Sequence, residues 1–194
     1  MNLWFGKAAF ILGFFAIGHF RDPHAKRNKK IKVVDNRKSK FDIGLIISCA
    51  IGGTLLPVIW MIFDIFKFAD YPLYPTSFLV GALLTISGLW LFNRSHLDLG
   101  TNWSVSLELR ENHSLVTNGV YKKIRHPMYA SLLLYYIAEP FLITNWIVGP
   151  LGFVTLAVLY FCRVKSEEKM MLDQFGDEYR AYMKASKRLI PGIY

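Results

Sequence analysis

Cysteine is scarce in this chain: Cys49 and Cys162 are the only two among 194 residues. Both fall inside apolar runs, so they read as small buried hydrophobes and exclude a disulfide framework. No metal-ligand spacing is present, and no metal site is expected. No internal repeat is visible, which excludes a solenoid or a propeller. No G-x-G-x-x-G follows a strand pattern, so a Rossmann-type cofactor site is unsupported. No Ser–His or Cys–His pair offers an activated nucleophile. Acidic residues are also few: 14 Asp and Glu face 23 Lys and Arg, for a net charge of +9.

What the chain has in abundance is apolar sequence. Hydrophobic residues make up 53%, and the mean hydropathy is +0.29. That suits an all-α integral membrane protein. A bilayer core takes about 20 apolar residues per helix. Five runs qualify as expected spans: Leu3 to Phe20, Ile43 to Phe66, Ser77 to Phe92, Met128 to Ile143 and Trp146 to Cys162. The first could pass for a signal peptide, but its charge lies mainly after the apolar run and no small-residue cleavage site follows. Pro57 is expected to kink the second. The last two lie so close that they read as a helical hairpin, with Glu139-Pro140 and Thr144-Asn145 near the junction. No charged residue is expected deep in a span, which argues against an ion pathway.

The basic residues flank these runs. Arg21 to Lys40, Arg94 to Arg125 and the tail after Arg163 are all rich in Lys and Arg. The positive-inside rule explains them more simply than a nucleic-acid footprint, so no nucleic acid is expected as a partner. Five spans with the N-terminus outside and the C-terminus cytoplasmic put all three on one side. The chain reads as one domain, 1–194: three N-terminal spans in 1–92, then a region, 93–194, holding most of the polar chemistry.

The stretch HSLVTNGVYKKIRHPMY, residues 113–129, carries His113, Tyr121, Arg125, His126 and Tyr129 to the edge of an apolar run. Ionisable groups are costly at such an edge, and a bound polar ligand is one reason to keep them. Ser104 to Leu109 alternates weakly, as a strand does. Asn118-Gly119 signals a turn, and Pro127 is expected to open a helix whose free N–H groups favour an anion. From Arg163 to Lys187 an amphipathic helix is expected, broken near Gly176. Each feature also has an ordinary reading. Arg125 and His126 alone fit headgroup anchoring. Arg163 and Glu167 alone fit an i,i+4 pair worth about 0.3–0.5 kcal/mol.

The order of these features resembles the isoprenylcysteine carboxyl methyltransferase family. The resemblance rests on LVTNGVY (115–121), RHPMY (125–129), R-x3-EE (Arg163, Glu167, Glu168) and FGDEYRAY (175–182). It covers about the C-terminal 80 residues; the first three helices carry no matching motif. Eukaryotic members have more spans, so the shortness of this chain implies a prokaryotic relative, in the cell membrane. The resemblance implies S-adenosyl-L-methionine as cofactor and S-adenosyl-L-homocysteine as product. It implies a cofactor site of His113, Ser114, Leu115, Val116, Tyr121, His126, Pro127, Met128, Tyr129, Glu167 and Glu168. Arg163 would face the substrate as the catalytic residue.

The implied reaction is methyl transfer to the C-terminal carboxylate of a prenylated cysteine or a similar lipophilic acceptor entering from the bilayer. Membrane lipids are the other expected partners. A carboxylate acceptor is already ionised at neutral pH and needs no general base, which fits the missing nucleophile pair. Two other enzyme readings stand beside it. A phospholipid amine N-methyltransferase would need a base. An NADPH-dependent sterol-type reductase is resembled by the ending KRLIPGIY (187–194). A non-catalytic adaptor or transporter is the third alternative.

Overall fold

Each expected apolar run holds a helix in the computed structural model, which describes residues 1–37, 39–63, 65–104, 108–111 and 113–194. Helix α1 spans Trp4–Asn28 and runs past the expected end at Phe20. The residues that follow the apolar run still favour helix, and Pro23 is accommodated inside it. The end is fixed by Asn28, which is buried and donates to the Trp103 carbonyl at 2.8 Å.

Strand β1 (Val33–Asn36) then pairs antiparallel with β2 (Glu108–Arg110), with Asp35 opposite Leu109. The helical architecture therefore carries a two-stranded sheet that ties the first basic loop to the second. The alternating residues 105–107 lie outside the described set. Helix α2 (Lys40–Ala50) opens on a capping box: Asp42 N–H donates to Ser39 Oγ at 3.0 Å, and Ser39 N–H to Asp42 at 3.0 Å. The expected kink at Pro57 takes the form of a π-turn, Ile51–Leu55, before α3 (Leu56–Phe63). A proline has no N–H to give back to the preceding turn, and the backbone relaxes upstream of it.

Helix α4 (Pro75–Leu99) has proline at its first position. It packs closely on α5 (Pro127–Leu142), because a Cβ at Gly88 would meet the Ser131 carbonyl at 2.9 Å. The hairpin turn follows, and α6 runs from Val148 to Ala185 with a kink at Gly176. The expected fifth span and the expected amphipathic helix are thus one element. Its one non-helical residue is Gly176, at φ 52°, where the sequence anticipates a break. Glu139 sits within α5 rather than in the turn, 1% exposed. Pro140 forfeits one bond but leaves the last turn intact, closed by Ile143 N–H on the Glu139 carbonyl.

Among the described residues, three helical stretches are long and apolar enough to cross a membrane: Lys40–Phe63, Pro75–Asn102 and Val148–Ala185. Helix α5 has 16 residues, short of a full crossing. Leu12, Phe15, Ile62, Ile86, Trp90 and Phe161 are all exposed on the helix flanks. So much exposed apolar surface belongs in lipid, and the protein is an integral membrane protein.

Candidate active site

One cavity of ≈ 730 Å³ lies at the basic end of the bundle. That is ample for a cofactor-sized ligand, whose pockets run to about 300–1,000 Å³. Its polar basin is lined by His113, Ser114, Leu115, Val116, Tyr121, His126, Pro127, Met128, Tyr129, Arg163 and Glu167. Those are all the sequence-predicted residues but one. Glu168 does not line it.

The basin's near wall is the 113–129 loop, and its position is over-determined. Ser114 N–H donates to Asn102 Oδ1 at 2.8 Å, which pins the loop to the turn after α4. Asp98 accepts from Val120 N–H at 2.9 Å. Gly119 lies between them at φ 56°, with its α-carbon so close to Asp98 that a Cβ would collide with the carboxylate. The Asn-Gly turn therefore needs its glycine twice, for backbone sign and for space. Tyr182 Oη donates to the Tyr121 carbonyl at 2.6 Å. The C-terminal segment completes the clasp: Arg125 N–H donates to the Lys187 carbonyl at 2.7 Å, His126 N–H to Arg188 at 2.9 Å, and Lys187 N–H back to Lys123 at 3.0 Å.

The far wall is α6. Successive residues on a helix point about 100° apart, and Glu167 and Glu168 take different work accordingly. Glu167 faces the cavity. Its Oε1 accepts from Tyr129 Oη at 2.7 Å and lies 3.1 Å from Arg163 Nη2. Its Oε2 stands 3.7 Å from His126 Nδ1. Glu168 turns into the protein and clamps Arg125 at 3.0 Å and Arg188 at 2.6 Å. Arg125 also donates to the Met183 and Ser186 carbonyls. Arg125 thus locks the loop to α6, and its contacts are to protein.

Four buried polar atoms on lining residues, His96 Nε2, His113 Nδ1, His126 Nε2 and Arg163 Nε, have no hydrogen-bond partner among the described residues. Burial holds the His113 imidazole below its ordinary pKa and therefore neutral. No side chain caps the start of α5 at His126–Pro127, so its first N–H groups are open to an anion. These features fit an adenosyl amino acid: an acceptor for its ammonium in Glu167, open N–H groups for its carboxylate, and apolar Leu115, Val116 and Met128 for its base.

The same cavity continues as an apolar arm between helices. Phe14 and Ile17 come from α1, Ile46, Cys49 and Ala50 from α2, Thr54 and Leu55 from the π-turn, Leu132 and Tyr136 from α5, and Leu156 and Leu159 from α6. The sequence reading missed this arm, and also Arg21, His96, Trp103 and Glu108 in the lining. Their signal was tertiary, apart from Arg21, which stands at the end of an apolar run.

The isoprenylcysteine carboxyl methyltransferase (ICMT) family signature matches residues 82–173. The protein-S-isoprenylcysteine O-methyltransferase of Dictyostelium discoideum is 31% identical over 118 residues, 59% of this chain and 49% of its own. The Homo sapiens enzyme of the same name is 30% identical over 115 residues, 58% of this chain and 40% of its own. Methanethiol S-methyltransferase 1 of Bradyrhizobium diazoefficiens is 36% identical over a shorter stretch of 73 residues. The chain thus spans half or less of the length of these relatives. A solved structure of the eukaryotic intramembrane Ras methyltransferase ICMT superposes with a TM-score of 0.54 at 26% identity, covering 82% of this chain and 55% of that one. Over residues 82–173, from within α4 to within α6, the chain is similar to the isoprenylcysteine carboxyl methyltransferase family.

Proposed function

We propose that this protein is a membrane-embedded S-adenosyl-L-methionine-dependent methyltransferase that esterifies the C-terminal carboxylate of a prenylated cysteine or a similar lipophilic acceptor. One observation carries the reading: a single cavity joins a polar basin at the basic end to an apolar arm between helices. A soluble substrate needs no such arm, and a lipid-only site needs no such basin. The basic loops support a cytoplasmic basin and C-terminus, with the N-terminus outside.

The cofactor, when bound, supplies an electrophilic methyl group on a sulfonium. The chain's residues do the rest by placement. His113, Ser114, Leu115, Val116 and Tyr121 form the loop side of the cofactor site. His126, Pro127, Met128 and Tyr129 bring the open start of α5. Glu167, fixed by Tyr129 and Arg163, offsets the positive charge of the cofactor. Glu168 serves the site by holding Arg125 in place. The acceptor carboxylate, with a pKa of about 3.3–3.7, arrives ionised, so no residue need take a proton. Arg163 presents Nε toward it while Nη2 stays with Glu167. The apolar arm holds the lipid chain, excludes water and keeps the carboxylate in line with the methyl group, which is where such a site gains its rate.

Calorimetric titration of S-adenosyl-L-homocysteine into the detergent-solubilised protein tests this. Saturable binding is expected, with thermal stabilisation that grows with ligand concentration. Heat and stabilisation both absent at millimolar ligand would overturn the reading.

A further inference from the structure

Three guanidinium groups line the cavity: Arg21, Arg125 and Arg163. Arg163 is paired with Glu167 and Arg125 with Glu168. Arg21 makes no hydrogen bond or ion pair with any described residue, although the charge of its chain neighbour Asp22 acts on it and the two line the same outer hollow. Its guanidinium lies over the Trp103 ring, 5.7 Å from the centroid, which fixes its direction without neutralising it. It projects from α1, across the cavity from α6. It also lines a second hollow along α1, beside Phe14, Phe15 and Ile17. The charge therefore stands between the inner cavity and the outer flank of the helix, where the apolar run of α1 ends.

A half-buried cation whose acidic neighbour Asp22 makes no ion pair with it is incompletely balanced. A ligand that brings its own anion on an apolar chain would complete it. We propose that Arg21 is the residue that draws in and holds the acceptor's carboxylate, and so selects an acid over its neutral ester. This deepens the methyltransferase reading and rests on it.

The chemistry gives this residue a distinctive role. A carboxylate oxygen forms the new O–CH3 bond, the C–S bond breaks, and its electron pair stays on sulfur. The negative charge of the acceptor and the positive charge of the sulfonium vanish together, and no proton moves. Arg21 therefore binds the acceptor more tightly than the transition state, and loses its hold once the ester has formed. An interaction of that kind lowers KM and speeds product release but does little for kcat. Arg163, whose charge is balanced by Glu167, offers the carboxylate one hydrogen bond from Nε and discriminates less than the unpaired guanidinium of Arg21.

The test uses the full chain in detergent or nanodiscs with an N-acetyl-S-prenylcysteine and its methyl ester. Affinity for each is measured at saturating S-adenosyl-L-homocysteine, where no turnover occurs. The wild-type protein is expected to prefer the acid by about tenfold or more. Arg21→Gln is expected to bring acid and ester within about twofold of each other, and Arg21→Lys to keep part of the preference. In turnover, Arg21→Gln raises KM for the acid about tenfold while kcat stays level or rises by up to about threefold. Titration of S-adenosyl-L-homocysteine into both variants reports folding and the cofactor site independently, and its affinity is expected to stay within about twofold. A preference that survives Arg21→Gln, or one abolished instead by Arg163→Gln, overturns the proposal. Failure of the underlying reading looks different: the wild-type protein itself then binds no S-adenosyl-L-homocysteine, and this proposal falls with it.

Discussion

The two sides of the cavity are built in contrasting ways. The side made by the 113–129 loop, α5 and α6 is cross-linked by charge: Arg125–Glu168–Arg188 on one face of α6, Tyr129–Glu167–Arg163 on the next. The side made by α1, α2 and the π-turn is mostly apolar, with one guanidinium, Arg21, that joins no ion pair among the described residues. The lesson is a division of labour. Groups that must meet a cofactor of fixed shape are locked before it arrives. Groups that meet a flexible lipid chain are packed side chains, which adapt at little cost.

Breaking the locked side should cost most. Glu168→Ala leaves Arg125 and Arg188 without their carboxylate in a buried setting, a loss of about 3–5 kcal/mol. The thermal midpoint in detergent should fall by about 10 °C, whether or not ligand is present. If it moved by less than 2 °C, the locking role of Glu168 would be wrong. Glu167→Gln should act more on the ligand than on the fold: affinity for S-adenosyl-L-homocysteine drops by about tenfold or more, with a smaller fall in melting temperature than for Glu168→Ala, because the amide still accepts hydrogen bonds beside Arg163. Equal effects from both glutamates would erase the contrast between the two faces of α6. Tyr129→Phe removes the hydrogen bond to Glu167 and leaves its ion pair with Arg163, so a loss of about threefold to tenfold is expected in the same titration.

The apolar side is probed by bulk. Leu159→Trp should shorten the longest acceptor chain that is methylated and leave cofactor affinity within about twofold, since interior overpacking acts locally. A loss of cofactor binding instead would mean that the two sides do not divide as described. The smallest effect concerns pH. His113 has a folded pKa below its unfolded value, so the unfolded chain takes up a proton first as pH falls below about 6.5. Stability should decline toward pH 5 more steeply in the wild type than in His113→Gln. Parallel curves would count against the buried, neutral imidazole.

Much of this was legible in the sequence. Apolar runs located the helices, because bilayer thickness demands them, and RHPMY with R-x3-EE brought the loop and α6 to one cavity. What stayed hidden has physical reasons. Val33–Asn36 sits in a loop dominated by charge, and its pairing with Glu108–Arg110 is a contact across more than 70 residues. The union of 146–162 with 163–185 in one helix was masked by a change of composition that leaves helix propensity intact. Glu167 and Glu168 look interchangeable in sequence, and only helix rotation against the cavity tells them apart. Arg21 reads as one more topology charge until Trp103, 82 positions later in the chain, is seen beneath it.

The clasp formed by Lys187 and Arg188 has a consequence for how the protein is made. The 121–126 segment leaves the ribosome some 60 residues before the strand-like partner that holds its backbone. Until that partner emerges, Arg125 and His126 lack the acceptor carbonyls they use in the finished protein. The cofactor basin is therefore among the last features to form, after all the helices have entered the bilayer. A protease that trims the chain after Ala185 would leave every cavity residue in place and still undo the site.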